Sequence, residues 1–143
     1  MTQKRMALVV EDDPSLQRAV VERLESMRFD VRAAANYDAA VKALAGCQPN
    51  VVLVDLGLPS ESGYELCEFI RKQRTLLTVP ILVMSERSFP EDMAHAEDAG
   101  ANAFLKKPFT AAQLSKYVEA LLDGRKASRP SVRRLRVTED DEP

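Results

Sequence analysis

The chain has 143 residues and a mass of 15.9 kDa, with 20 Lys and Arg against 22 Asp and Glu. This length suits one domain with a short extension and argues against two full domains. No apolar run approaches the roughly 18 residues of a membrane-spanning helix, and the first one is too short for a secretory signal, so we expect no membrane insertion. Cys47 and Cys67 form no CxxC pair, which disfavours a zinc site or disulfide framework and favours a reducing cytoplasm.

The C-terminal residues carry separate blocks of charge. Residues 125–136 contain six basic residues and no acid, and residues 139–142 are all acidic. This composition, with few large apolar residues, is typical of a disordered tail or a linker. We predict one folded domain in residues 1–123 and a charged tail or truncated linker in residues 124–143. The tail could be merely solvated, or it could bind nucleic acid or an acidic partner.

The first apolar run, residues 6–10 (MALVV), predicts a strand. A continuous run of this length is typical of a strand buried on both faces of a parallel sheet. Asp13 and Pro14 then supply a helix N-cap and a proline at the first helical position, and apolar residues recur at helical spacing after them. Residues 30–34 (DVRAA) are a weaker candidate that suits a less buried or edge strand.

The middle of the chain continues this alternation. Asn36 can cap a helix that Gly46 ends. Residues 51–54 (VVLV) form a second continuous apolar run and predict another buried strand. Ser62 can cap a third helix with an apolar face.

The last part of the domain repeats the alternation twice more. Residues 81–84 (ILVM) predict a buried strand, and residues 90–99, ended by Gly100, predict a short helix. Residues 103–106 (AFLK) suit a less buried strand, and Thr110 can cap a fifth amphipathic helix.

Five strands that alternate with five helices predict an α/β fold, a parallel sheet with helices on both faces. The economical strand order is 2-1-3-4-5, the flavodoxin-like arrangement. A ligand binds such a sheet at the carboxyl ends of the strands, where the strand order reverses. In this chain that point is at the ends of strands 1 and 3.

Polar residues follow the strands at that edge. Glu11 and Asp12 come after strand 1 and Asp55 after strand 3, so three carboxylates should meet there and repel one another. A Mg²⁺ ion, which takes carboxylate, carbonyl and water oxygens, would relieve the repulsion. Ser85 after strand 4 and Lys107 after strand 5 add a hydroxyl and a cation. These groups could surround a transferred phosphoryl group, with Asp55 as the nucleophile.

Four segments together resemble a known family. They are VVEDDPSL (9–16), VDLGLPSESG (54–63), ILVMSE (81–86) and LKKPF (105–109). In this order and at these spacings they resemble the receiver domain of two-component response regulators, of the chemotaxis-regulator kind, over residues 5–123. The resemblance implies that a sensor histidine kinase or a phosphotransfer protein phosphorylates the domain.

The resemblance also implies a role for each residue of the acidic site. Asp55 would accept the phosphoryl group. Asp12 and Asp55 would bind Mg²⁺ directly, and Glu11 would act largely through water. The main-chain carbonyl of Gly57 would be a further metal ligand.

Further roles follow from the same resemblance. Ser85 would bond the phosphoryl group on activation, and Lys107 would take the place of the family's lysine. The bond between Lys107 and Pro108 would be cis. Phe104 would be the aromatic switch residue, whose ring turns inward when the Ser85 hydroxyl moves, although packing in the core would also explain an aromatic residue there.

The leading prediction is a phosphorylation-controlled switch and not an enzyme in the ordinary sense. Phosphorylation would change the affinity of one face, formed by helix 4, strand 5 and helix 5, for a downstream protein. Met93, Phe104 and Tyr117 are expected on that face, and His95 is expected on the surface of helix 4 without a ligand role. We expect no binding of nucleic acid by this domain.

Glu86 is the largest departure from the family pattern, since most receivers have Ala or Gly there. Its carboxylate could obstruct or repel a phosphodonor, or pair with Lys106 or Lys107, which predicts slow phosphorylation by small donors. An alternative is therefore an interaction module that is never phosphorylated. A Mg²⁺-dependent phosphohydrolase is disfavoured because Gly57 replaces the second Asp of a DxD motif, and flavin binding because no phosphate-binding loop follows strand 1.

Overall fold

The computed structural model describes residues 4–127. The strands are β1 (Arg5–Val10), β2 (Phe29–Ala34), β3 (Val51–Asp55), β4 (Ile81–Ser85) and β5 (Ala103–Lys106). The α-helices are α1 (Pro14–Ser26), α2 (Tyr37–Ala45), α3 (Ser62–Arg71), α4 (Pro90–Asp98) and α5 (Ala111–Ala127). Two short 3₁₀ helices, Pro59–Glu61 and Arg74–Leu76, precede α3 and β4.

The five strands form one parallel sheet in the order β2-β1-β3-β4-β5. This result confirms the predicted flavodoxin-like α/β fold. The register pairs Val10 of β1 with Val54 of β3, and Asp55 of β3 with Met84 of β4. The carboxyl ends of the three central strands therefore lie level with one another, at one edge of the sheet.

The hydrophobic core has two halves, one on each face of the sheet. In β1, Leu8 and Val10 pack toward α2, α3 and α4, while Ala7 and Val9 pack toward α1 and α5. Residues 51–54 and 81–84 are fully buried, as their continuous apolar sequence predicts. Helices cover both faces of the three central strands, so polar groups of these strands reach solvent near the strand ends.

The helix caps largely follow the sequence. Asp13 Oδ1 accepts a hydrogen bond from Ser15 N at 3.0 Å, and Asn36 Oδ1 accepts one from Ala39 N at 2.8 Å. Thr110 caps α5 as predicted, and Thr110 Oγ1 accepts a hydrogen bond from a main-chain N–H of the first turn at 3.0 Å. Each of these bonds satisfies an N–H group that the helix itself leaves without a partner.

Two details of the predicted elements are wrong. Ser62 is not an N-cap, because its φ and ψ of −69° and −12° make it the first residue of α3, directly after the 3₁₀ turn. The second strand begins one residue before the predicted start, at Phe29, because Arg28 turns the chain with a φ of 73° and places the aromatic ring in the core.

The C-terminal boundary lies at the limit of the described residues. Helix α5 continues to Ala127, so the first residues of the segment predicted as a tail are helical. Residues 128–143 fall outside the described residues, and the rest of the tail stays a prediction. Within residues 4–127, no helix combines the length and the apolar character that crossing a bilayer requires.

Candidate functional site

An acidic cleft of about 580 Å³ opens at the carboxyl edge of the sheet. The loops after β1, β3, β4 and β5 all contribute to its lining. Six of the seven predicted site residues line the cleft, namely Glu11, Asp12, Asp55, Gly57, Ser85 and Lys107. The structure thus brings together residues that are up to 96 positions apart in the sequence.

Main-chain hydrogen bonds that continue past the strand ends fix this edge. Leu56 N donates to Met84 O at 2.8 Å, and Lys107 N donates to Ser85 O at 2.8 Å. The parallel ladder therefore extends beyond β3 and β5, and it places the residues that follow each strand at defined positions. The site is built on the rigid sheet, although its side chains belong to strand ends and loops.

Three carboxylates meet at the centre of the cleft. One oxygen from each of Glu11, Asp12 and Asp55 lies within 4.8 Å of the others. Glu11 and Asp55 are 1% and 3% exposed, whereas Asp12 is exposed to solvent. Two buried like charges at this separation are costly without a compensating cation.

Lys107 supplies one such cation. Its Nζ lies 3.1 Å from Glu11 Oε1 and 3.1 Å from Asp55 Oδ1. Burial of the ammonium opposes its charge, but the hydrogen bond to Glu11 and the attraction of Asp55 outweigh that effect and raise the pKa of Lys107. Lys107 is therefore protonated at neutral pH and ties both buried carboxylates together.

The buried Glu11 carboxylate is harder to ionise than a free glutamate, even with Lys107 beside it. Burial is the largest effect on Glu11 and, with the nearby Asp55 carboxylate, raises the pKa of Glu11 from 4.5 to about 7, although Asp13 N–H and Lys107 partly oppose the rise. Near neutral pH the cluster thus retains a proton in part of the molecules. A further cation would displace that proton and stabilise the ionised cluster.

Ser85 is the last residue of β4 and is buried beside the carboxylates. Its Oγ accepts a hydrogen bond from Arg87 N at 3.0 Å. Because this bond uses a lone pair of the oxygen, the hydroxyl proton remains available for donation. Ser85 can therefore donate a hydrogen bond to an anion in the cleft.

The comparison with protein families decides what this site belongs to. Residues 7–119 match the family model described as the response regulator receiver domain. The chain belongs to the response regulator receiver family. The resemblance seen in the four sequence segments is thereby confirmed, and so is its extent over most of the folded domain.

Curated relatives are similar to this receiver over part of their length. The sensory transduction protein BceR of Bacillus subtilis is 34% identical over 102 residues, which cover 71% of this chain and 43% of the relative. The transcriptional regulatory protein KdpE of Mycobacterium tuberculosis is 36% identical over 104 residues, which cover 73% of this chain and 45% of the relative. The chain thus spans about half of the length of the curated relatives it matches.

Solved receiver structures share the whole fold. The chemotaxis response regulator CheY4 of Vibrio cholerae has a TM-score of 0.79 and 25% identity, covering 83% of this chain and 99% of that chain. The receiver domain of the sensor histidine kinase PA1611 of Pseudomonas aeruginosa has a TM-score of 0.77 and 28% identity, covering 85% of this chain and 99% of that chain. The PA1611 structure is described with a magnesium ion coordinated in its active-site cleft.

The chemistry of this receiver's cleft fits a magnesium ion. Three convergent carboxylates offer the hard oxygen ligands that Mg²⁺ prefers. Gly57 leaves space beside them, because a Cβ at that position would lie 3.1 Å from Asp55 Oδ1. Burial, and to a smaller extent Asp55, raises the pKa of Glu11, and a bound cation would favour the ionised form of this carboxylate.

Two residues of the predicted partner face of the receiver are not on the surface. Phe104 is 1% exposed and packs in the core on the α4 side, and Tyr117 is 4% exposed and packs in the core between α1 and α5. The prediction of an exposed face is wrong for Tyr117, which belongs to the core, and the burial of Phe104 agrees with the alternative interpretation that this ring packs in the core. Met93 is partly buried, and the exposed large apolar residue nearest to it in sequence is Phe89.

One wall of the cleft, formed by α3 and α4, was not predicted from the sequence. His95 on α4 is exposed, as predicted, but its imidazole stacks on the Tyr64 ring of α3, with centroids 3.6 Å apart. Asp92 caps α4 through the bond from Phe89 N to Asp92 Oδ2 at 3.1 Å. The acidic residue three positions after the N-cap residue Phe89 was a visible capping signal, whereas the ring pair depends on tertiary packing.

Glu86 lies at the mouth of the receiver's cleft and is exposed. Of the two lysines proposed as its partner, Lys107 instead contacts Glu11 and Asp55.

The Lys107–Pro108 peptide bond is cis, as the resemblance implied.

Proposed function

We propose that this receiver accepts a phosphoryl group on Asp55, from a histidine kinase or a phosphotransfer protein, in a Mg²⁺-dependent reaction. The main observation behind the proposal is that a buried Asp55, two further carboxylates and Lys107 lie close together at the carboxyl ends of the strands. Membership of the receiver family supports it, because phosphorylation on Asp is the chemistry of that family.

Asp55 is the nucleophile in this proposal. Its Oδ1 accepts hydrogen bonds from Gly57 N at 2.8 Å and from Lys107 Nζ at 3.1 Å, and these two bonds orient the carboxylate. We assign the other oxygen, Oδ2, to attack on the phosphorus atom of the donor. The bond from phosphorus to the donor's imidazole nitrogen breaks, and its electron pair stays on that nitrogen.

Lys107, Ser85 and the residues that would hold Mg²⁺ act on the charge of the transferred phosphoryl group. Lys107, already 3.1 Å from Asp55 Oδ1, can donate to one phosphoryl oxygen, and Ser85 can donate its hydroxyl proton to another. Asp12, Asp55 and the Gly57 carbonyl would hold Mg²⁺, with Glu11 acting through water. The bound ion would supply charge neutralisation for the phosphoryl oxygens.

The output of the reaction is a conformational change. Ser85 ends β4, and its neighbour strand β5 carries Phe104, which packs in the core against α4. Movement of Ser85 toward a phosphoryl group would change the packing of Phe104 and α4. Phosphorylation would thus shift a two-state equilibrium of the face formed by α4, β5 and α5, and so change its affinity for a downstream protein partner.

In this proposal the receiver is a phosphoacceptor switch, not an enzyme that turns over a substrate. The donor kinase uses ATP, so we place the receiver in the cytoplasm with its kinase. We assign no contact with nucleic acid to this domain.

Binding of beryllofluoride, an analogue of the phosphoryl group, tests the proposed function. With Mg²⁺ present, we expect calorimetry to show one beryllofluoride bound per chain in the wild type and none in Asp55→Asn. A wild type that binds none would favour the alternative, an interaction module that is never phosphorylated.

Glu86 is expected to slow phosphorylation by small anionic donors. Its charge lies at the mouth of an already acidic cleft, so Glu86→Ala should raise the rate of labelling by acetyl phosphate roughly three- to fivefold at low salt, as expected for one unit charge several ångströms away. The measurement is the initial rate of phosphorylation at saturating Mg²⁺.

Glu119→Ala is the matched control for Glu86→Ala. Glu119 is exposed on α5 and does not line the cleft, so its removal changes the net charge equally without changing the local field. Equal rates for wild type and Glu86→Ala would show that Glu86 does not obstruct the donor.

A further inference from the structure

Gln17, on the first turns of α1, makes contacts that the reaction described above does not use. Its side-chain Nε2 donates to the main-chain oxygen of Glu11 at 2.9 Å and to that of Ala34 at 3.3 Å. Ala34 O also accepts a hydrogen bond from Glu11 N at 3.0 Å. One half-buried amide group therefore joins α1 to the carboxyl ends of both β1 and β2.

The position of this amide matters because of the peptide bond it contacts. The carbonyl of Glu11 belongs to the peptide group that connects Glu11 to Asp12, and a peptide group is planar. A hydrogen bond to that carbonyl therefore fixes the rotation of the plane between the two carboxylate residues of the loop. The Glu11 side chain has further support, because its Oε2 accepts from Asp13 N at 3.1 Å and its Oε1 accepts from Lys107.

Asp12 lacks support of that kind. Its side chain is exposed. Within residues 4–127 its carboxylate accepts no hydrogen bond, whereas the carboxylates of Glu11 and Asp55 each accept two. The direction in which this carboxylate points thus depends on the peptide group between Glu11 and Asp12. Gln17 holds that peptide group through its hydrogen bond to Glu11 O.

We propose that Gln17 is a positioning residue that orients the Asp12 carboxylate for Mg²⁺, an inference that rests on the proposed function. Gln17 does not touch the ion or the phosphoryl group. It acts through the Glu11 carbonyl, as the outer partners of metal ligands do in other sites. The Nε2 group of Gln17 preorganises the loop after β1, which carries Glu11 and Asp12, before the ion binds.

The test replaces Gln17 by Met, which has a similar length and helix propensity but no donor. We expect the dissociation constant for Mg²⁺, measured by calorimetry, to increase roughly tenfold, as when the outer partner of a metal ligand is lost. Acetyl-phosphate labelling should slow at low Mg²⁺ and recover at saturating Mg²⁺. Gln48→Met, the same change at an exposed site in the loop before β3, should bind Mg²⁺ like the wild type.

The outcomes separate positioning from a purely structural role. A lower melting temperature with unchanged Mg²⁺ affinity would overturn the proposal, because the amide would then only satisfy two carbonyls. If Gln17→Met does not fold, Gln17→Asn keeps the amide on a shorter side chain that cannot reach both carbonyls, and it should also bind Mg²⁺ more weakly. A wild type that binds no Mg²⁺ would contradict the proposed function itself.

Discussion

Replacing Lys107 by Met should slow phosphoryl transfer to Asp55 by about 100-fold or more, the usual effect of removing a preorganised charged donor. In the wild type the ammonium lies 3.1 Å from both Glu11 Oε1 and Asp55 Oδ1, so it is in place before the donor arrives. Affinity for Mg²⁺ should rise in the variant, because a competing positive charge has left the carboxylate cluster. Acetyl-phosphate labelling and Mg²⁺ calorimetry on the same sample measure the two effects.

The opposite signs of the two effects make the Lys107 experiment specific. A variant with a collapsed site would lose both the reaction and Mg²⁺ binding, and a variant that labels at the wild-type rate would show that Lys107 has no role in transfer. Lys106→Met is the matched control, because Lys106 ends β5 next to Lys107 and does not line the cleft. We expect its labelling rate to stay within about twofold of the wild type, since the half-buried Lys106 lies outside the lining of the cleft and salt weakens the effect of a charge at a distance.

Gly63→Ala should destabilise the fold by about 3 kcal/mol, as overpacking of a tight contact does. A Cβ on Gly63 would lie 2.6 Å from Asp55 O and 2.9 Å from the Leu56 Cα, and both of these are main-chain atoms that cannot rotate away. Alanine has the higher helix propensity by about 1 kcal/mol, so a loss of stability would have to come from this contact. The free energy of unfolding in urea is the measurement.

Gly63 also connects stability to the site. The clash would push α3 away from the end of β3, which carries Asp55, so the variant should also label more slowly. Gly46→Ala is the matched control, because a Cβ at Gly46 would meet only Ala43 O, at an ordinary 3.9 Å. We expect that control to lie within about 0.5 kcal/mol of the wild type. Equal stability of Gly63→Ala and wild type would contradict the packing argument.

The sequence predicted most of the fold because burial on two faces leaves a simple pattern. The runs at residues 6–10, 51–54 and 81–84 are continuously apolar and form the three central strands. The weaker strand at residues 30–34 has three exposed positions, at 30, 32 and 33, and its first residue, Phe29, was missed because Arg28 makes an unusual turn. Local sequence does not specify a left-handed conformation at an arginine.

The convergence of the site was predictable from topology alone. Carboxyl ends of parallel strands lie at one edge, so Glu11, Asp55 and Lys107 had to come close once the strand order was inferred. The contacts of Gln17 and the stacking of Tyr64 on His95 were not predictable in this way. They depend on helix rotation and side-chain rotamers, which a single sequence does not encode in a readable pattern.

The same limitation explains the error in the partner face. Phe104 and Tyr117 were placed on the surface because their elements carry such a face in the family, but the burial of each ring depends on which way its element is turned. The resemblance therefore predicted the position of the polar residues at the strand ends, which line the cleft, better than that of aromatic residues whose exposure depends on packing.

Localisation of the phosphoryl group tests the central claim most directly. The intact chain is incubated with acetyl phosphate and Mg²⁺, the acyl phosphate is trapped by borohydride reduction, and the modified peptide is sequenced by mass spectrometry. We predict one modified residue, Asp55, with no modification when Mg²⁺ is removed or when Asp55 is replaced by Asn. Modification of a different residue, or none at all with Mg²⁺ present, would contradict the proposal that Asp55 is the phosphoacceptor of this receiver.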